Sequence, residues 1–170
     1  PGCAVAPPVL VPQGAVLPPV PARTGGDGWQ YCDLGHKHWG RYGAAGLLVR
    51  AGELVLLQHR ALWSHHGGTW GIPGGARHLG ESAEAAARRE ATEESELDTG
   101  ALLETARFVD DHGGWSYTTV VVTAPEALPV AIRGGESVEF SWFPAAVLGT
   151  DEGPPLHPGF AFTWPLVRSL

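Results

Sequence analysis

The chain has 170 residues, 44% of them apolar, and a formal net charge of −7, enough material for one domain with a sizeable core. That acidic balance argues against a surface for duplex nucleic acid, which wants a basic stripe, and no run of about 20 apolar residues is present to span a membrane. Two cysteines, Cys3 and Cys32, are too few for a disulfide framework and fit a reducing cytoplasm.

Residues 1–27 are rich in proline and glycine with scattered Val and Leu. Such a stretch cannot build a packed core and reads as a tail or linker, leaving 28–170 as the folded domain. It lacks a charged start followed by an apolar run, so a secretory signal is not expected.

In the next segment, GWQYCDLGHKHWGRYGAAGLLVR, Cys32, His36 and His38 invite a zinc reading. A structural site needs four ligands, and this spacing supplies three with no evident fourth. Trp29, Tyr31 and Trp39 are expected to cover a sheet edge. Residues 44–50 and 53–60 read as a hairpin about an Ala51-Gly52 turn. A loop over 61–69 then leads to the short apolar segment Trp70-Gly71-Ile72.

Pro73-Gly74-Gly75 interrupts regular structure, because proline fixes one dihedral and glycine permits close backbone approach. A helix is expected after it, with Ser82 as N-cap, alanines at 83, 85–87 and 91 as strong helix formers, and Gly100 at the C-terminal stop. Further on, 101–110 and 115–124 read as strands joined through Gly113-Gly114, the second rich in β-branched residues. Residues 125–135 read as a loop, 138–143 as a strand, 144–148 as a short helix and 160–170 as a terminal helix containing Pro165.

On the central helix Glu90, Glu93 and Glu94 stand at i, i+3 and i+4, within about 100° of arc on one face. Like charges at that spacing destabilise an isolated helix by a few tenths of a kcal/mol per pair. A solvated acidic face is the plain explanation. A hard divalent cation, Mg²⁺ or Mn²⁺, removes the penalty and suits a substrate that brings phosphate oxygens.

The pattern Gly75, five residues, Glu81, seven residues, Arg89-Glu90, Ala91, Thr92, Glu93-Glu94, Ser95, Glu96, Leu97 resembles the box that defines the Nudix hydrolases, matching six of its seven fixed positions. The fixed glycine near its end is Glu96 here, which would have to tolerate helical geometry, and a bulky apolar position is Ala91. Outside the box WGRYGAAGLLVR, LLQHRALWSHHGGTWGIPGGAR, YTTVVV and LHPGF resemble actinobacterial enzymes of the MutT type.

The resemblance implies an α+β fold, the Nudix α/β/α sandwich with a mixed β-sheet between helices. It implies metal-dependent hydrolysis of a phosphoanhydride in a nucleoside triphosphate, an oxidised purine nucleotide such as 8-oxo-dGTP being the leading substrate. Glu90, Glu93 and Glu94 would hold Mg²⁺ or Mn²⁺ with the Gly75 carbonyl. Glu90, or a carboxylate close to it, would activate water, Arg89 would orient Glu90, and Glu81 would hold the loop or metal-bound water in place from behind.

One further carboxylate is expected from Glu136, Glu139, Asp110 or Asp111, with Glu136 favoured because it lies six residues before Trp142 in a segment like the family's later strand. Arg60 is a candidate for phosphate; Trp63, Trp70, His65, Tyr117 and Phe160 are candidates for a base pocket, and His157 for its wall. The partner is then a nucleotide, and a homodimer is left open. The alternatives are a hydrolase of a diphosphate-linked nucleoside such as ADP-ribose, or a sensing module that binds nucleotide without turnover.

Overall fold

Alternation of side chains along two neighbouring strands organises the molecule. In the computed structural model, which describes residues 25–170, strands β1 (Trp29–Tyr31) and β2 (Lys37–Trp39) form a separate two-stranded hairpin. β3 (Ala44–Ala51), β4 (Leu54–Arg60), β5 (Trp70–Gly71), β6 (Gly74–Ala76), β7 (Leu103–Asp111), β8 (Ser116–Thr123) and β9 (Ser137–Pro144) make a seven-stranded mixed sheet. Its main path runs β5-β4-β3-β8-β7, with β6 added on β3 and β9 on β4. β3 and β8 are parallel, Leu47 opposite Val120 and Leu48 opposite Val121.

Both faces of that pair are covered, which is why the two strands read as unbroken apolar runs. Leu47, Val49, Val120 and Val122 point into one core with Ala86, Ala87 and Ala91 of helix α1 (Ala83–Glu94). Leu48, Val55, Leu57 and Val121 point into the other with Phe160, Trp164 and Val167 of helix α2 (Pro158–Val167). The result is the expected α+β sandwich, helix on sheet on helix. Leu48 is fully buried, and truncation to alanine there would cost about 2–5 kcal/mol.

α1 buries only alanines, so its backbone can approach the sheet closely. Its start is as expected: the Ser82 hydroxyl accepts from the Ala85 amide at 3.1 Å. Its end is not. The helix stops at Glu94, and Ser95 is extended, pairing with Ile132 across an isolated bridge. Gly100 instead lies in a separate 3₁₀ turn, Thr99–Ala101, whose amide is capped by Asp98.

Where the sequence predicts edge cover and a loop the structure forms the hairpin β1–β2 and the short strand β6, and the short helix expected over 144–148 is a 3₁₀ turn, Ala145–Val147. α2 begins two residues earlier than expected, with Pro158 in its first turn and His157 as cap. Residues 1–24 of the expected tail, including Cys3, lie outside the described residues. Of residues 25–27, Gly26 is buried, its carbonyl accepting from the Arg41 amide at 2.8 Å, while Gly25 and Asp27 are exposed.

Candidate active site

The glycine loop and α1 are locked together by Arg89. Its Nε donates to Glu81 Oε1 at 2.8 Å and its Nη2 to Glu81 Oε2 at 3.1 Å, a two-point fork on a carboxylate 15% exposed. Its other donors go to Glu90 Oε1 at 2.7 Å, to the Ala76 carbonyl at 2.9 Å and, more loosely, to the Glu93 carboxylate at 3.4 Å. The fork geometry suits guanidinium and cannot be copied by a point charge. That hydrogen bonding holds the Glu81 carboxyl down to about 2, with the His78 amide adding to it against the cost of burial.

β6 carries the loop under the helix. Ala45 and Gly46 of β3 pair with Gly75 and Gly74, so residue 75 lies directly beneath Glu90. A Cβ there would sit 2.5–2.8 Å from the Glu90 carboxyl atoms, closer than real side-chain contacts allow. A side chain at this position could enter only by moving the Glu90 carboxylate aside.

Glu90, Glu93, Glu94 and Glu136 line one cavity of about 290 Å³, together with Arg133, Gly134 and Gly135. The backbone explains how a residue 42 positions beyond Glu94 arrives there. The Arg133 amide donates to the Glu94 carbonyl at 2.8 Å and the Glu96 amide to the Ala131 carbonyl at 3.1 Å, which lays the 125–135 loop along the helix end. On the far side the Ala61 amide donates to the Glu136 carbonyl at 2.9 Å.

Glu96 therefore does not sit in the helix. It is exposed beyond the helix end, 3.9 Å from the Arg133 guanidinium, so the helical geometry expected at this position is not asked of it.

The electrostatics suit a cation. Burial pushes the Glu94 carboxyl up to about 8, with the charges of Glu90 and Glu136 adding to it and Arg60 and Gln58 opposing weakly. Glu90 is also raised, by burial, against the pull of Arg89. Glu94 Oε2 is buried with no hydrogen-bond partner. Carboxylates lining one cavity, one of them with an orphaned buried oxygen, are donors that a hard divalent ion would draw together.

The other predicted residues divide. Arg60 lies close enough for its charge to be felt at both Glu94 and Tyr117, and Tyr117 Oη lies against Gly74 and Gly46. Burial, then Glu94, raises the Tyr117 phenol, so it is a neutral donor. Trp70 is core instead: 9% exposed, stacked on His59 at 4.4 Å and edge-on to Phe143. Phe160 is core as well, and Trp63 is 77% exposed on its loop.

Asp110 and Asp111 are engaged elsewhere, with His112 Nε2 at 3.0 Å and the Gly113 amide at 2.9 Å. The Glu139 carboxylate accepts from the Ser141 hydroxyl at 2.7 Å. His157 accepts from the Gly159 amide at the start of α2, and burial with the nearby Arg60 charge holds it down at about 4.

Gln58 was missed by sequence reasoning. It is 1% exposed on β4, donates to Ser137 Oγ and faces Glu94. Its signal was a polar residue inside LVLLQHR at an inward position.

Fold and site together define a class: a hydrolase of acid anhydrides that gathers carboxylates from one helix over a glycine loop. A NUDIX domain model matches residues 40–164, and the chain belongs to the Nudix hydrolase family, whose members generally work with divalent cations. A Mycobacterium tuberculosis protein described as "Putative 8-oxo-dGTP diphosphatase 3" is 47% identical, over 86% of this chain and 71% of its own length. A "Nucleoside triphosphate pyrophosphatase/Nudix hydrolase fusion protein" of Bifidobacterium longum is 42% identical over 76% of this chain and 29% of its own. Among solved structures, the M. smegmatis Nudix hydrolase RenU superposes with a TM-score of 0.75 at 43% identity, over 85% of this chain and 94% of that one. No helix among the described residues is long and apolar enough to cross a membrane.

Proposed function

We propose that this enzyme hydrolyses a nucleoside triphosphate with Mg²⁺ or Mn²⁺, and that oxidised purine nucleotides such as 8-oxo-dGTP are its substrates. The observation that carries the reading is the convergence of Glu90, Glu93, Glu94 and Glu136 on one cavity with Glu94 Oε2 unpartnered. The purine preference is supported by the described activity of the 47% identical relative.

A bound divalent ion would neutralise phosphate oxygens and favour attack by water. Glu90, Glu93 and Glu94 would hold it with the Gly75 carbonyl, and Glu136 would join from the facing loop. Glu90 would accept the proton of the attacking water, and Arg89 fixes its carboxylate in place while Glu81 fixes Arg89. Arg60 would meet a phosphate. Water adds to one phosphorus, the bridging oxygen leaves with its phosphate, and nucleoside monophosphate with pyrophosphate, or diphosphate with phosphate, is released. A cytoplasmic setting fits the nucleotide substrate.

The test is chromatographic product identification after incubation with Mg²⁺ and 8-oxo-dGTP, dGTP, CTP, ADP-ribose and a dinucleoside polyphosphate. Selective loss of 8-oxo-dGTP is expected. Preferred cleavage of ADP-ribose, or tight binding without any product, would overturn the reading.

A further inference from the structure

A second cluster of metal-ligating side chains lies away from the carboxylates. Cys32 follows β1, His36 and His38 flank and enter β2, and His112 sits in the turn between β7 and β8. Their ligand atoms all lie within 4.8 Å of one another. The sequence offered three of these residues; folding brings the fourth from 74 positions beyond His38.

The local chain is shaped to converge them. Gly35, at φ +79°, turns the backbone, so that the Cys32 amide donates to the His36 carbonyl at 3.0 Å. His36 and His38 then stand two apart on extended chain and share a face. Across the gap, the Asp33 amide donates to the Gly113 carbonyl at 2.8 Å and docks the hairpin on the His112 turn.

Packing alone does not account for the arrangement. His38 Nε2 and His112 Nδ1 are both buried and without a hydrogen-bond partner, a state that costs about 1–3 kcal/mol for each atom. Asp110 Oδ2 accepts from His112 Nε2 at 3.0 Å, which fixes the tautomer with the lone pair on the unpartnered Nδ1. His38 is braced by Trp115, stacked at 3.9 Å.

We propose that Cys32, His36, His38 and His112 bind a zinc ion in a closed structural site that fastens the β1–β2 hairpin to the β7–β8 turn, distinct from the catalytic cation. One thiolate and three imidazoles select zinc over Mg²⁺. Four protein ligands leave no open position for water, the mark of a structural rather than catalytic ion. Bonds of about 2.0–2.3 Å set tetrahedral donors about 3.3–3.8 Å apart, so shifts of roughly an ångström close these four on one ion. The gain is local stability: a two-stranded hairpin is marginal in water, and this one leaves Trp29, Tyr31 and Trp39 half exposed.

The test uses the full chain, purified without metal-affinity resin and dialysed extensively, with zinc measured by mass spectrometry. About one tightly held zinc per chain is expected. Replacement by Co²⁺ is expected to give the intense visible bands of a tetrahedral ion and a thiolate charge-transfer band in the near ultraviolet. Cys32→Ser should lose that band and His112→Asn most of the bound metal, whereas Glu94→Gln should keep both. Zinc lost on dialysis of the unaltered chain, a weak octahedral Co²⁺ spectrum, or metal held equally by Cys32→Ser and lost in Glu94→Gln would each overturn the proposal. The measurements on unaltered protein decide it even if a variant fails to fold.

Discussion

The carboxylate of Glu90 overhangs Gly75 so closely that a Cβ at residue 75 would lie 2.5 Å from its carboxyl carbon and 2.6 Å from Oε2. The methyl group of Gly75→Ala must therefore displace Glu90, because the backbone of residue 75 is held by its pairing with Ala45. A displacement near 1 Å at a reacting group can cost about 100-fold in rate. We expect kcat of Gly75→Ala to fall by about that factor with an unchanged circular dichroism spectrum, and unchanged kcat would show that Glu90 does not act where it stands.

Arg89 and Glu81 act as a unit. Arg89→Lys keeps the charge but loses the fork that spans both Glu81 oxygens, the Ala76 carbonyl and Glu90. Each single change, Arg89→Lys or Glu81→Gln, should lower kcat by loosening Glu90, and the pair should be strongly non-additive, with a coupling of about 0.5–3 kcal/mol in unfolding free energy. Chemical denaturation of the four proteins in a double-mutant cycle measures it; additive losses would mean that the two residues serve separate purposes.

The same contact has a pH signature. Arg89 holds the Glu81 carboxyl at about 2, against an ordinary 4.5. The unfolded chain therefore binds more protons than the folded one between those values. The stabilising contribution is fully present above about pH 4.5 and is lost as pH falls toward 2. The melting temperature of the native chain should exceed that of Glu81→Gln by a margin that is constant above pH 5 and shrinks as pH is lowered to 3. A margin independent of pH would contradict the ion pair.

Much of this site could be read from residues because its information is local. Spacing along a helix puts Glu90, Glu93 and Glu94 on one face whatever surrounds them, and Ser82 caps that helix through an amide three residues away. What escaped depends on partners distant in sequence. α1 ends at Glu94 because Ser95 bridges to Ile132, and no residue near Ser95 announces that. His112 joins Cys32 only through the docking of two hairpins. Trp70 and Trp63 look alike as aromatic candidates in one stretch of chain, yet one is sealed against His59 and the other faces solvent.

Those two tryptophans give a direct contrast. Trp70→Ala removes a side chain packed between His59 and Phe143, and should cost about 3–5 kcal/mol of stability. Trp63→Ala, at a side chain 77% exposed, should stay within about 0.5 kcal/mol of the parent. Thermal denaturation separates the cases. A large loss at Trp63 would mean that its loop packs more tightly than its exposure indicates.

Glu94 opposes activity and stability most sharply. Burial and the nearby charges of Glu90 and Glu136 push its carboxyl up to about 8, and one of its oxygens has no partner. In the metal-free protein near neutral pH the residue is thus mostly uncharged, and glutamine matches it in shape and charge. Glu94→Gln should leave the melting temperature of the metal-free protein unchanged or slightly raised. It should also lower kcat at least about 100-fold, because an amide is a poorer ligand for a hard cation whose stabilisation of developing charge amounts to several kcal/mol. Melting curves in chelator, set beside turnover at saturating Mg²⁺, test both halves. A variant that unfolds easily would mean that Glu94 serves the fold, and one with full turnover would remove it from the cation site.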